Sequence, residues 1–117
     1  MIIQQVHDDF KMPIYTTAGA AAFDIFAVET KLLMPGEHYD LMLGFSAEIP
    51  DGFMGILAPR SGTGSKGIVL RNTIGFLDSD FRDEWQARIV IREGSEPIQM
   101  TTGKRFLQCA IVPITKP

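Results

Sequence analysis

One segment near the middle of the chain, residues 59–67, combines cations, hydroxyls and glycines and reads Pro-Arg-Ser-Gly-Thr-Gly-Ser-Lys-Gly. Glycines let a backbone approach an anion closely, while Arg60 and Lys66 add positive charge and Ser61 adds a hydroxyl donor. This composition indicates a loop that could cradle phosphates. A flexible, solvated loop explains it equally well, and the spacing does not fit the Gly-Lys-Ser/Thr phosphate loop of nucleotide triphosphatases.

A second segment, residues 72–84, places four carboxylates within seven residues, between aromatic and apolar side chains. One carboxylate could orient and deprotonate a water, and others could hold a divalent cation such as Mg²⁺ through water. The competing explanation is an acidic hairpin turn, because Asp and Ser are favoured in turns. Taken alone, the residues favour the turn.

The other polar residues give weaker signals. Residues 101–108 are typical of a turn with a solvated basic pair that leads into a final apolar strand. His7 and His38 have no Cys or second His at ligand spacing, so a zinc site is not expected. Cys109, the only cysteine, lies in an apolar run and is expected to be a small core residue rather than a nucleophile.

The elements that must position these residues are short strands. Eleven glycines and seven prolines divide the chain into runs of four to eight residues, too short for ordinary helices. Residues 85–92 alternate between apolar and polar side chains, as in a strand with one buried face. The sequence therefore predicts an all-β sandwich or jelly roll. The predicted strands are Ile2–Val6, Phe23–Ala27, Tyr39–Leu43, Phe45–Glu48, Phe53–Ala58, Ile68–Leu70, Glu84–Ile91, Ile98–Met100 and Leu107–Pro113.

Composition limits the partners of the chain. With 117 residues, a net charge of −3 and one cysteine, it is expected to form a single domain over residues 1–117 without a disulfide. No apolar run approaches the length of a membrane helix, and no leader precedes the first strand, so a cytoplasmic protein is expected. The scattered basic residues do not favour nucleic acid as a partner, because phosphate backbones require a clustered positive face.

The order of four segments resembles the motifs of the trimeric dUTPase family. They are residues 21–25 (Ala-Ala-Phe-Asp-Ile), 59–62 (Pro-Arg-Ser-Gly), 72–84 and 103–108 (Gly-Lys-Arg-Phe-Leu-Gln). The resemblance runs from about Met12 to Pro113. It implies a jelly roll that forms a homotrimer, with each active site assembled from motifs of neighbouring subunits.

The resemblance also implies a reaction, the Mg²⁺-dependent hydrolysis of dUTP to dUMP and pyrophosphate by attack of a water on the α-phosphorus. Such an enzyme would keep uracil out of DNA and supply dUMP. Asp78 matches the general base, Asn72 matches the residue that bonds the uracil edge, and Asp24 matches an acidic residue that would meet the metal through water. The other matched substrate positions are Gly75, Phe76 and Leu77 at the base, Phe81 under the deoxyribose, and Arg60, Ser61, Gly62 and Gln108 at the phosphates.

The sequence departs from the family pattern at several positions. Phe81 stands where the family usually has Tyr, and Ala22 and Asp83 each replace a usual Gly. The second motif is one residue shorter before Gly67. The Gly-rich fifth motif, an arm that closes over the triphosphate in the family, has no counterpart before Pro117. Its absence is expected to weaken catalysis unless another element replaces it.

Two other functions are compatible with parts of this pattern. A deoxycytidine triphosphate deaminase relative would need a glutamate base and a different second motif, so residues 59–62 favour the dUTPase. A non-catalytic nucleotide-binding or regulatory homologue would explain a missing arm. The presence of Asp78 argues against it, because a pure binder has less need of a carboxylate that activates water.

Overall fold

The computed structural model describes residues 1–117 as eleven short β-strands and one five-residue helix. In chain order the elements are β1 (Ile2–Gln5), β2 (Phe23–Phe26), β3 (Lys31–Leu33), β4 (His38–Met42), β5 (Phe45–Glu48), β6 (Phe53–Pro59), α1 (Ser61–Ser65), β7 (Ile68–Leu70), β8 (Gly75–Leu77), β9 (Gln86–Ile91), β10 (Ile98–Met100) and β11 (Arg105–Pro113). The prediction of an all-β protein is confirmed. The lone helix is neither long enough nor apolar enough to cross a bilayer.

The strands form four antiparallel sheets, ordered β2-β11-β6-β8, β4-β9-β7, β1-β5 and β10-β3. No pairing joins two strands that follow each other directly in the chain. Connections that repeatedly cross from one sheet to the other are characteristic of jelly rolls. The long strand β11 lies between β2 and β6, and this arrangement brings residues from three distant parts of the sequence side by side.

The hydrophobic core lies between the sheets, and β9 shows how the sequence builds it. Trp85, Ala87, Ile89 and Ile91 are buried, while the polar residues that alternate with them face outward. The predicted alternation is therefore confirmed. The Trp85 ring packs against the ring of buried Phe45, with centroids 4.8 Å apart. Aromatic pairs at such distances contribute beyond the area they bury.

A tight turn at residues 50–53 precedes β6. At the Pro-Asp-Gly turn the Phe53 amide donates to the Pro50 carbonyl over 3.1 Å. Gly52 takes a φ of 85°, which a residue with a side chain adopts only at a cost. This turn sets the start of β6, the strand that leads into the second motif.

Three elements differ from the predictions. Strands β3 and β8 were not predicted, and the segment predicted to be an open loop contains the helix α1. Each unpredicted strand has only three residues and exists through pairing, β3 with β10 and β8 with β6. The helix is composed of Ser, Gly and Thr, which are weak helix formers. Its Thr63 hydroxyl donates to the Phe106 carbonyl of β11 over 2.6 Å, so a tertiary contact holds it in place.

Cys109 is fully buried on β11, as predicted for a core residue. Burial raises the pKa of its thiol to about 12. Because only the thiolate reacts with disulfide reagents, we expect the native protein to be inert to Ellman's reagent at pH 8. One thiol per chain should react once denaturant is added. Rapid reaction of the native protein would show that β11 opens to solvent.

Candidate active site

The first candidate site is a cavity of about 260 Å³ beside the segment that joins β7 to β8. Six predicted site residues line this hairpin cavity, namely Asn72, Gly75, Phe76, Leu77, Asp78 and Phe81. Leu57, Leu70 and Ala87, all buried, form its apolar wall, and Gln86 and Arg88 of β9 add polar groups. The structure thus gathers every residue predicted to contact the base or the sugar.

Close packing against β6 holds the hairpin cavity in shape. Gly75 pairs with Leu57 and Leu77 pairs with Gly55. A Cβ added to Gly75 would lie 3.1 Å from the Leu57 Cβ, tighter than ordinary contact. A side chain at position 75 would therefore push the β8 backbone away from β6 and widen the cavity.

Asp78 directly follows β8 and is exposed. The Phe81 amide donates to the Asp78 carbonyl over 3.2 Å and closes a turn, so the predicted acidic turn does form. None of the five ion pairs in the chain involves Asp78. Its carboxylate lines the cavity without a cationic partner and is free to accept a proton from a water there. Phe81, half-buried, packs against the core next to it.

The second candidate site is a cavity of about 290 Å³ at the opposite edge of the four-stranded sheet, which we term the arginine cavity. It is lined by Thr16, Ala20, Ala21, Ala22, Asp24, Arg60, Ser61, Arg105 and Gln108. All of them except Thr16 and Ala20 come from the first, second and fourth motifs. They meet because β11 pairs with both β2 and β6, which places Gln108 opposite Asp24 and Ala58.

Asp24 is the only buried charged residue and organises the arginine cavity. One carboxylate oxygen accepts from Arg60 Nε at 2.9 Å, and the other accepts from the Thr16 hydroxyl at 2.6 Å and Arg105 at 3.4 Å. Burial raises the pKa of this carboxyl, but the Thr16 hydrogen bond and the two guanidinium charges lower it more, so the pKa lies below its ordinary value. Two cations around one anion leave this cavity with excess positive charge.

The other residues predicted to contact the phosphates lie around this cavity, with one exception. Ser61 is exposed at the first position of α1, and the Gln108 amide donates to the Pro59 carbonyl over 3.1 Å. Gly62 is exposed and lines neither cavity, so the structure does not place it with the others. Lys66, offered as a second cation of the cradle, does not line the arginine cavity and lies instead at two other cavities.

Asp78 and Arg60, which line the two cavities, lie far apart within one chain. Asp78 follows Leu77, which pairs with Gly55 near the start of β6. Arg60 follows the end of the same strand, five residues after Gly55. At about 3.3 Å per strand residue, this spacing puts roughly 17 Å between them. A single substrate phosphate cannot contact both Asp78 and Arg60 of the same chain.

The chain contains no group of three or more His, Cys, Asp and Glu side chains that could hold a metal ion. Asp24, predicted to meet a metal through water, has both oxygens occupied by Thr16 and two guanidiniums. Hard cations such as Mg²⁺ need free oxygen ligands and are repelled by neighbouring positive charge. The residues around Asp24 therefore fit an anion better than a cation.

Sequence reasoning missed four polar residues of these cavities, namely Thr16, Gln86, Arg88 and Arg105. The sequence indicates the position of two of them, because the alternation of polar and apolar residues in β9 places Gln86 and Arg88 on its outward face. Arg105 was assigned to a solvated pair, but the pairing of β11 with β2 carries it to Asp24, 81 residues away in sequence. Nothing in its local sequence indicates that contact.

Comparison with known proteins identifies the family. Residues 8–117 match the dUTPase family model. The chain belongs to the dUTPase family. The predicted resemblance is thereby confirmed, whereas the roles of individual site residues remain predictions.

Bacterial members of the dUTPase family resemble the chain over most of its length. A protein named deoxyuridine 5'-triphosphate nucleotidohydrolase from Rhizobium rhizogenes is 40% identical over 110 residues, covering 90% of this chain and 70% of the relative. A protein of the same name from Clostridium tetani is 34% identical over 115 residues, covering 97% and 79%.

Solved phage dUTPases share the fold. The enzyme of Staphylococcus bacteriophage 80alpha, in a variant solved with dUpNHpp, superposes with a TM-score of 0.88 at 24% identity and covers 99% of this chain and 91% of its own. A variant dUTPase from phage phi11 of S. aureus, solved with a structural Mg(II) ion, gives 0.89 at 23% identity, covering 99% and 92%. The predicted dUTPase jelly roll is confirmed.

Proposed function

We propose that this dUTPase family member hydrolyses dUTP to dUMP and pyrophosphate, as a single-domain cytoplasmic enzyme that keeps uracil out of DNA and supplies dUMP. The observation that carries the proposal is the hairpin cavity, where the residues predicted to read the base lie beside the unpaired carboxylate of Asp78. In the reaction a water oxygen bonds to the α-phosphorus and its proton passes to Asp78. The bond from the α-phosphorus to the bridging oxygen breaks, and pyrophosphate leaves.

Base selection follows from the walls of the hairpin cavity. The Asn72 amide and the backbone groups of Gly75 and Leu77 offer donors and acceptors to the uracil edge. The amino group of cytosine would leave some of these groups unpaired, at about 1 to 3 kcal/mol each. The ring of Phe81 lies under the deoxyribose, where it leaves no room for a 2′-hydroxyl.

Phosphate binding falls to the arginine cavity. Arg60 supplies charged donors, and Ser61 and the Gln108 amide supply neutral ones. Arg105 adds a second guanidinium. Asp24 holds both guanidiniums in place rather than binding substrate, because its two oxygens are already engaged. Donors fixed before the reaction stabilise charge that develops on phosphate oxygens without having to reorganise.

The proposed hydrolysis depends on Mg²⁺ that is bound to the nucleotide rather than to the protein. Since Asp24 does not fit a metal ligand, the ion would arrive on the triphosphate oxygens, where it neutralises charge and favours departure of pyrophosphate. The chain's own share is to orient the phosphates and to accept the proton at Asp78. We therefore expect chelation of free Mg²⁺ to stop turnover without unfolding the protein.

A homotrimer with shared active sites resolves the separation of the two cavities. An arginine cavity of one subunit facing a hairpin cavity of its neighbour would complete each site. The outer face of the four-stranded sheet offers a contact surface for this assembly. Ile56 pairs there with Phe76 on one side and Ala110 on the other, and Phe76 is 68% exposed. An exposed aromatic ring next to half-buried apolar residues supports an interaction surface here.

Pyrophosphate release from dUTP, dCTP, dTTP and UTP, with and without Mg²⁺, tests the proposed reaction. Release confined to dUTP and dependent on Mg²⁺ is expected. Release of ammonia from dCTP would instead indicate a deaminase. Saturable dUTP binding without release would favour the non-catalytic regulatory homologue.

Mixing two inactive variants tests the shared site. Asp78→Asn removes the general base from the hairpin cavity, and Arg60→Ala removes a phosphate donor from the arginine cavity. When equal amounts of the two variants are unfolded and refolded together, we expect roughly a quarter of the sites to regain activity. These sites combine the intact hairpin cavity of an Arg60→Ala chain with the intact arginine cavity of an Asp78→Asn chain. Light scattering should give a trimer mass for both variants alone. A mixture that stays inactive while forming trimers would show that both halves of each site come from one chain.

A further inference from the structure

The turn that leads into the hairpin cavity contains the one strained residue of the backbone. Thr73 is the only residue other than glycine with a positive φ, at 70°. The Ile74 amide donates to the Asn72 carbonyl over 2.8 Å, which closes a γ-turn of the rare positive-φ type. A β-branched residue in this region is an outlier, and such outliers persist only where their surroundings enforce them.

Contacts on both sides enforce the turn. The Thr73 amide donates over 2.9 Å to the carbonyl of Leu70, which is buried at the end of β7. On the other side Gly75 packs onto Leu57 of β6. The backbone between these two anchors has little freedom, and Asn72 lies within it.

Thr73 itself does not touch the cavity. Its side chain is exposed and is absent from the cavity wall, whereas Asn72 forms part of that wall. Glycine would adopt the same backbone conformation without strain. The presence of threonine therefore costs stability without adding a contact to the site, and its remaining effect is to restrict the conformations open to the turn.

We infer that Thr73 is a positioning residue, whose stiff, strained turn holds the Asn72 amide in the orientation that reads uracil. This inference rests on the proposed function. A more flexible turn would have to be ordered each time a base binds, and that ordering weakens binding. Ordering part of one residue's backbone on binding corresponds to roughly a two- to fivefold change in affinity.

The test compares Thr73→Gly with Thr73→Asn. Asparagine tolerates a positive φ while keeping a side chain that stiffens the backbone, so it is the matched control. Three quantities are measured on each protein, namely the melting temperature, the Kd of dUMP by calorimetry, and kcat and KM for dUTP and dCTP.

We expect Thr73→Gly to melt at the same or a higher temperature than the parent while binding dUMP roughly two- to fivefold more weakly. KM for dUTP should rise by the same factor with kcat unchanged, since a base contact is made equally in the ground and transition states. Preference for dUTP over dCTP should fall. Thr73→Asn should resemble the parent. A residue with only a structural role would not weaken binding while preserving or raising stability.

Three outcomes would overturn the inference, and they are distinguishable. If the parent is active on dUTP and Thr73→Gly has the same dUMP affinity and selectivity, the turn does not position Asn72 and the proposed function stands. If the parent neither hydrolyses dUTP nor binds dUMP, the proposed function fails and the inference fails with it. Activity that falls in Thr73→Asn as much as in Thr73→Gly would assign the effect to the lost threonine side chain instead.

Discussion

Replacing Asp78 by Asn is expected to lower kcat for dUTP hydrolysis by roughly 10²- to 10⁴-fold, the usual contribution of a general base. The amide keeps the shape of the carboxylate but cannot take a proton from the attacking water. Asp78 is exposed and has no ion-pair partner, so folding should be unaffected. Pyrophosphate release at saturating dUTP measures the loss of kcat. An unchanged affinity for dUTP, measured by calorimetry, shows that the variant is folded.

Asp83→Asn is the matched control for this experiment. Asp83 is also exposed, lies five residues further along the same acidic segment, and is not part of the cavity wall. It should retain the parent's kcat. Equal losses in both variants would mean that the segment acts through its total negative charge. A fully active Asp78→Asn would assign the base to another group.

The second large effect is expected at Asp24. Asp24→Asn should lower the free energy of unfolding at pH 7 by roughly 2 to 3 kcal/mol, because it removes a buried charge that accepts from two guanidiniums. The partial exposure of Arg60 and Arg105, whose side chains are 30% and 41% accessible, keeps this below the cost of breaking a fully buried pair. Phosphate binding should weaken as well, since neither guanidinium would keep its orientation. Urea unfolding of parent and variant measures the first effect.

The pH dependence of this difference follows from the lowered pKa of Asp24. A carboxyl with a lower pKa in the folded state stabilises the protein above its unfolded pKa of about 3.9, and this contribution is lost as the pH falls through the folded value. The gap between parent and Asp24→Asn should therefore be constant near neutral pH and should shrink below about pH 4. A gap that does not change with pH would show that the loss comes from packing rather than charge.

Asp40→Asn provides the control, because the ion pair between Asp40 and Arg71 is about as short as the pair between Asp24 and Arg60 but is more exposed to solvent. The two pairs measure 2.8 and 2.9 Å, but the Asp40 side chain is 61% accessible and that of Asp24 is 10%. Exposed pairs contribute about 0 to 1 kcal/mol because water screens them. Asp40→Asn should accordingly change stability little. A loss as large as that of Asp24→Asn would rule out burial as the cause.

Local patterns in the sequence were sufficient for much of the fold. Three predicted strands, Phe45–Glu48, Ile68–Leu70 and Ile98–Met100, have the same bounds in the structure, and the others shift by at most two residues at an end. These strands carry alternating or continuous apolar runs between turn residues, and such patterns act over a few neighbours. Strand β8 and helix α1 have no such pattern, and contacts with distant strands stabilise them.

By itself the sequence determined the all-β class, the family and the residue types of the site, because these depend on local periodicity and on the order of motifs. Only the tertiary structure decided which motifs meet. Pairing of β11 with β2 and β6 gathers Asp24, Arg60 and Gln108 into one cavity, while pairing of β8 with β6 carries Asp78 to another. It also brings two guanidiniums to Asp24, one of them from 81 residues away in sequence. Long-range strand pairing selects such partners by the fit of whole faces, and no short segment contains that information.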